Sequence, residues 1–167
     1  YEAIMPALEA AGVPGTIFIS SGHVGLGKAF WWDSVARLLR LAPDDAGPLR
    51  VPIGGQQRTW PARSGPERQF AFLRLVAALR AQPPEEIDAA LREIGLWAGV
   101  DDPFAPDPED RPMTVDELRR LAASPVVTIG SHGVGHACLA AQSPELRAGE
   151  LARSKQDLQA WLGDAPA

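Results

Sequence analysis

Short apolar runs alternate along this 167-residue chain with longer segments whose apolar residues recur every three or four positions. Residues 1–11 predict a helix, with Ile4, Leu8 and Ala11 at helical spacing. Residues 15–20 (GTIFIS) are β-branched or aromatic and are bounded by small residues, which predicts a buried strand. A helix, a tight turn and a buried strand are typical of an α/β fold with parallel strands.

A second pair of helix and strand is predicted nearer the end of the chain. Thr114 and Glu117 form a capping box, which predicts the start of a helix. Residues 126–129 (VVTI) then predict a second buried strand, which Gly130 ends. Residues 131–136 (SHGVGH) follow this strand directly.

The rest of the chain is predicted to be mostly helical. A long helix begins with Ser143 as N-cap and Pro144 as its first residue, and it ends at Gly163. Four apolar residues form the stripe of this helix: Leu151, Leu158, Trp161 and Leu162. Between the two strands, helices are predicted over residues 30–41, 66–81 and 84–98, and a small hairpin over 49–60 around Gly54-Gly55.

Composition and charge narrow the classes of function. Hydrophobic residues are 46% and charged residues 22% of the chain, which is typical of a soluble globular protein. The formal net charge of −5 argues against nucleic acid as the principal partner, because an acidic surface repels phosphate. No apolar run reaches the roughly 18 residues that span a bilayer, so no membrane span is expected. Cys138 is the single cysteine, which excludes an internal disulfide and a cysteine-based zinc cluster.

His132 and His136 carry the candidate chemistry, since they stand four residues apart directly after the second predicted strand. Ligand sites of parallel α/β folds form where loops converge at the C-terminal ends of strands. Two imidazoles there suit a divalent metal such as Zn²⁺. Gly133 and Gly135 disfavour a regular helix, so the rings are expected to converge from a tight loop. Alternatively, either histidine is a half-buried residue that bonds to backbone and holds no metal.

The order of these segments resembles the polysaccharide deacetylase family, the NodB-homology domain of carbohydrate esterase family four. The resemblance rests on GVPGTIFIS after a helix, MTVDELRRLA, a strand into GSHGVGH, and a helix that ends in LG. It covers residues 1–30 and 112–163, and residues 30–60 resemble an insertion found in one bacterial branch of the family. It implies a distorted parallel (β/α) barrel in which residues 1–167 form a partial domain, with a helical insertion over about 30–111.

The resemblance also implies an activity, namely removal of N-acetyl groups from a sugar polymer or glycan. In the family a divalent metal, usually zinc, is held by one Asp and by the two histidines of an H-[Ser/Thr]-x-x-H motif, which His132 and His136 match. The metal polarises the acetamide carbonyl and holds a water, while an Asp acts as general base and a later His as general acid. Gly133 stands where the family has Ser or Thr, and Ala137 where it has Pro.

The family's Thr-Phe-Asp-Asp-Gly motif is expected before Tyr1, and its later Arg, Pro-Tyr and His motifs after Gly163. No catalytic residue is therefore assigned in this chain, which opens inside a predicted helix and is expected to be a fragment that is inactive alone. Two other hypotheses stay open. One is a non-catalytic carbohydrate-binding or scaffold domain on the same fold, and the other is a helical interaction module without metal. The sequence does not fix the oligomeric state or the compartment.

Other candidate residues have ordinary structural explanations. His23 is expected to be a solvent-exposed loop histidine, although it could line a substrate cleft. Asp33 is expected to complement the dipole of the helix that it begins. Cys138 is expected to be a packed small residue rather than a nucleophile. Three tryptophans are expected to pack between the insertion and the barrel rather than to stack on sugars: Trp31, Trp32 and Trp60.

Overall fold

The computed structural model describes residues 4–163 and shows a mixed α/β chain. Its elements are α1 (Ile4–Ala11), β1 (Gly15–Ile19), α2 (Trp31–Leu41), β2 (Leu49–Ile53), β3 (Gln56–Trp60), α3 (Gly65–Leu79), α4 (Pro84–Ala98), α5 (Val115–Ala122), β4 (Val127–Ser131) and α6 (Pro144–Leu162). The first three residues of the helix predicted over 1–11, and the predicted tail 164–167, lie outside the described residues. Within residues 4–163 no helix is both long and apolar enough to cross a membrane.

The chain divides into two units. The first comprises the described residues up to Leu26, Pro112–His136 and the residues from Ser143 onward, and it contains α1, β1, α5, β4 and α6. The second comprises Gly27–Arg111 and Ala137–Gln142, and it contains the hairpin and the other three helices. That the middle of the chain is an insertion in a deacetylase domain stays a prediction.

The first unit is built on two parallel strands, as the sequence predicts. β1 and β4 pair in a register that runs from Gly15 opposite Val127 to Ile19 opposite Ser131. Thr114 caps α5 through the predicted capping box with Glu117, and Ser143 caps α6. The buried apolar core of this unit consists of Ile19, Val24, Leu118, Leu121, Ile129 and Leu158.

The prediction that both strands are buried is wrong for one face of the pair, on which Thr128 of β4 is exposed together with part of β1. Thr16 and Phe18 are exposed, and Phe18 retains 59% of its accessible surface, whereas Ile19 is buried. A run of β-branched and aromatic residues favours a strand but does not distinguish one covered face from two. The ring of Phe18 lies over Gly130, where an added Cβ would stand 2.6 Å from a ring carbon.

The predicted stripe of α6 is correct at Leu158, Trp161 and Leu162, which are buried or pack against the core, and is wrong at Leu151. Leu151 is 53% exposed, although it was expected to face inward with Leu158. Glu150 and Ser154 take the inward face instead, at spacings of four residues along the helix, and Ser154 is fully buried. The inward face is therefore partly polar, because it meets a loop rather than only the apolar core.

The second unit packs three helices on a hairpin, close to the predicted boundaries. β2 and β3 are antiparallel and turn at Gly54-Gly55. Ser64 and Glu67 form a further capping box at the start of α3. The core is made of alternate residues of β2 and the inward faces of α2, α3 and α4, including Val35, Leu38, Leu49, Val51, Leu75, Leu91 and Ile94.

Candidate metal site

Two loops leave the same edge of the parallel sheet, since Ile19 and Ser131 end their strands side by side. The N–H of His132 donates to the carbonyl of Ile19 at 2.9 Å. The N–H of Ser21 then donates to the carbonyl of Gly133 at 3.0 Å, and that of Gly22 to Val134 at 2.9 Å. The two chains therefore stay hydrogen-bonded beyond the strands, and this pairing sets the path of the histidine loop, residues 132–136.

Glu150 on α6 holds the other side of the histidine loop. Its carboxylate accepts the N–H of Val134 at 2.8 Å and the N–H of Gly135 at 3.0 Å. Hydrogen bonds to a charged acceptor are stronger than neutral ones. Ser131 is also fixed to this helix, because its hydroxyl donates to that of Ser154 at 2.8 Å. The Glu150 carboxylate thus fixes the loop, in which Gly133 has no side-chain hydroxyl that could do so.

The two imidazoles lie next to each other on this loop. Their ring centroids are 4.5 Å apart, with an angle of 35° between the ring planes. His132 is exposed and also contacts the ring of Phe18 edge-on, with centroids 6.3 Å apart. His136 is half-buried and has a φ of 58°, a left-handed conformation that is uncommon for residues other than glycine. Such conformations are held by their surroundings and cluster at ligand sites.

The donors present fit part of a zinc site. Zinc accepts imidazole nitrogens at about 2.0–2.1 Å, and catalytic sites usually use three protein ligands. His132 and His136 supply two donors of the required type on one short loop. Across residues 4–163 no group of three or more His, Cys, Asp or Glu side chains could hold a metal ion. A third protein ligand is therefore not found among the described residues.

His23 is buried, and the prediction that it is solvent-exposed is wrong. Its residue keeps only 7% of its accessible surface, in a short 3-10 helix at Ser21–His23. The hydroxyl of Ser21 donates to Asp157 at 2.8 Å and fixes this turn to α6. Glycine-rich composition indicates a loop but does not show that α6 covers it, which is why the burial was missed.

The three candidate tryptophans and the cysteine belong to the second unit. Trp60 is buried in the core of that unit, and Trp31 packs against the same core. The Trp32 ring stacks on that of Phe30, with centroids 4.8 Å apart. Two of the three tryptophans thus pack within their own unit, while packing against a barrel stays a prediction. Cys138 is a half-buried free thiol.

Asp33 stands in the first turn of α2, as predicted, but its charge is disfavoured there. Burial and then the neighbouring negative charge of Asp110 raise the pKa of Asp33 above its ordinary value of 3.8. Both carboxylates line a cleft of about 250 Å³ that also contains the guanidiniums of Arg37 and Arg40.

Asp33→Asn is expected to stabilise the protein more at pH 7 than at pH 3.5. A raised pKa in the folded state means that stability falls as the pH rises from below 3.8 through the folded-state pKa. The neutral asparagine removes that loss. Urea unfolding at the two pH values measures the difference, and the stabilisation should shrink in an Asp110→Asn background. A pH-independent effect of Asp33→Asn would contradict this assignment.

Comparison of the chain with protein-family models, with curated proteins and with solved structures gave no match in any of the three. The deacetylase resemblance therefore stays a prediction that rests on the segments quoted above.

Sequence reasoning missed Glu150. The only signal was its distance of four residues from Ser154 and eight from Leu158, which places all three on one side of a helix. The prediction of an apolar stripe that includes Leu151 placed Glu150 outside the inward face. The role of the Glu150 carboxylate in ordering the histidine loop is therefore seen only in the three-dimensional structure.

Proposed function

We propose that this chain is part of a metal-dependent polysaccharide deacetylase, which removes N-acetyl groups from a sugar polymer or glycan. His132 and His136 are two protein ligands of its divalent metal, for which zinc is the first candidate. The observation that carries the proposal is the 4.5 Å separation of the two rings on a loop at the C-terminal edge of a parallel strand pair. Adjacent imidazoles at such an edge are suited to a shared metal.

A divalent metal in such a site polarises an amide carbonyl and makes water a better nucleophile. The chain's own contribution is to fix the two imidazoles, through the backbone bond of His132 to Ile19 and the carboxylate of Glu150. The family pattern places the aspartate ligand, the general base and the general acid in motifs that the described residues do not contain. The chain alone is therefore expected to bind metal and glycan without turnover.

The proposed architecture is a part of a distorted parallel (β/α) barrel, with β1 and β4 as neighbouring strands. Two features support it. The strands are parallel and in register over five residues. The exposed side of β1 carries the Phe18 ring, an apolar surface that a further layer of a barrel would cover.

The function is tested by zinc-dependent binding of the tetramer of N-acetylglucosamine, measured by isothermal titration calorimetry. We expect binding in the presence of Zn²⁺, none after chelation with EDTA, and weaker binding of the glucosamine tetramer, which lacks acetyl groups. Glycan binding that survives chelation would favour a non-catalytic carbohydrate-binding domain. Absence of bound zinc would favour an interaction module, and release of acetate by residues 1–167 would refute their inactivity.

A further inference from the structure

An open cleft lies within the second unit, between β3 and α3. Its volume is about 460 Å³, within the range of roughly 300–1,000 Å³ that ligand sites occupy. The residues that line it are Arg58, Thr59, Trp60, Arg74, Ala77 and Ala78. None of these residues belongs to the candidate metal site.

One wall of the cleft is an unpaired strand edge. Pro52 lies opposite Gln57 in the hairpin, and proline has no N–H to donate across the ladder. Antiparallel pairs alternate between bonded and non-bonded, so Gln57 and Thr59 direct their N–H and C=O groups away from β2. Over the described part of the chain, residues 56–60 make no backbone hydrogen bond outside the hairpin. The edge can therefore accept another strand.

Two arginines flank this edge without a counter-charge. Arg58 lies on the same face of β3 as the buried Trp60, two residues away, yet it is exposed. Arg74 is exposed on α3, on the opposite side of the cleft. Between residues 4 and 163 neither guanidinium has an ion-pair or hydrogen-bond partner. Arg68, by contrast, donates to the carbonyl of Pro43 at 2.9 Å and lies 3.4 Å from Asp44.

We propose that this cleft binds an extended acidic segment of a partner protein, which adds to β3 as a third strand. The outward backbone groups of Gln57 and Thr59 pair with the segment, and a carboxylate of the segment lies between the guanidiniums of Arg58 and Arg74. The small side chains of Ala77 and Ala78 leave room for its neighbouring residues. This is strand addition, in which backbone bonds give affinity and side-chain pockets give specificity.

The same charges explain why an acidic segment is selected. A charged residue that points inward on an edge strand discourages pairing with ordinary apolar strands. A carboxylate on the incoming strand makes pairing favourable instead, since it neutralises the charges of the Arg58 and Arg74 guanidiniums. A basic segment would place its positive charges next to the two guanidiniums and be repelled, whereas an acidic segment is attracted.

The test uses the full chain and a fluorescein-labelled octapeptide of alternating glutamate and valine, blocked at both ends, followed by fluorescence anisotropy. Arg58→Glu with Arg74→Glu is expected to weaken binding at least tenfold. Arg63→Glu with Arg80→Glu makes the same charge change outside the cleft and should alter binding less than twofold. A lysine–valine octapeptide should bind at least tenfold more weakly than the acidic one.

Strand addition is tested separately from charge. Thr59→Pro removes an outward N–H and should weaken peptide binding at least tenfold, whereas Thr59→Val keeps the N–H and should not. Hydrogen exchange of the Gln57 and Thr59 amides should slow when peptide binds. Equal losses in both arginine pairs, or no effect of Thr59→Pro, would overturn the proposal. A dimer of this chain that depends on Arg58 and Arg74 would also overturn it. So would a heparin tetrasaccharide that displaces the peptide and that binds the Thr59→Pro variant as tightly as the native chain.

Discussion

His132→Ala is expected to weaken zinc binding by at least about 100-fold, and His136→Ala by a similar factor. The estimate is a lower bound, because loss of even an outer partner of a metal ligand costs roughly 10–100-fold in affinity. Each substitution removes one of two imidazoles whose centroids are 4.5 Å apart, and leaves a single donor on the loop. Competition with a chromophoric zinc chelator at pH 7 measures the affinity of each variant.

Two controls make this expectation specific. Cys138→Ser removes the only thiol of the chain and should leave zinc affinity unchanged, because the proposed ligands are the two imidazoles and not this thiol. Circular dichroism checks that each variant remains folded. Cobalt substitution adds an independent readout, since the visible spectrum of the bound ion reports loss of a nitrogen ligand. Zinc affinity that is the same in both histidine variants and in the native chain would eliminate the proposed site.

The local signals in the sequence predicted local structure well. The capping box of Thr114 and Glu117, Ser143 before Pro144 and the Gly54-Gly55 turn are interactions between residues close in the chain, so their chemistry determines the structure there. The parallel pairing of β1 and β4 spans more than a hundred residues and was still predicted. It followed from topology, because two short apolar strands each preceded by a helix favour a parallel sheet.

The errors share a different origin, which is tertiary burial. The sequence indicated a loop at His23 and a helix face at Leu151, but neither pattern specifies which element lies above the residue. The structure buries His23 and Ser154 and turns Leu151 outward. The inward face of α6 is polar because the histidine loop exposes backbone N–H groups, and buried backbone donors require acceptors. Glu150 meets that requirement, which no periodicity of apolar residues can reveal.

Gly133→Ser would introduce the residue type that the proposed family has at this position, and we expect it to destabilise the protein. Gly133 has a φ of +76°, which costs a residue with a side chain about 1–2 kcal/mol. An added Cβ would stand 2.8 Å from Oε2 of Glu150, so that carboxylate must move. Its displacement weakens bonds to the N–H groups of Val134 and Gly135, and charged hydrogen bonds contribute about 1.5–3 kcal/mol. Together the free energy of unfolding should fall by about 3 kcal/mol.

Gly135→Ser is the matched control for this loss, which urea denaturation measures. Gly135 lies in the same loop, its φ is outside the left-handed range, and its Cβ would stand 3.6 Å from Oε1 of Glu150, an ordinary contact. Its cost should stay below about 1 kcal/mol, as for a glycine whose conformation a side chain can adopt. In a Glu150→Ala background the steric part disappears, and Gly133→Ser should cost only the backbone strain of about 1–2 kcal/mol. A cost of Gly133→Ser that is the same in the native and Glu150→Ala backgrounds would show that the carboxylate does not contribute to the loss. The expected difference between the two backgrounds would instead show that Gly133 and Glu150 act as a pair that orders the histidine loop.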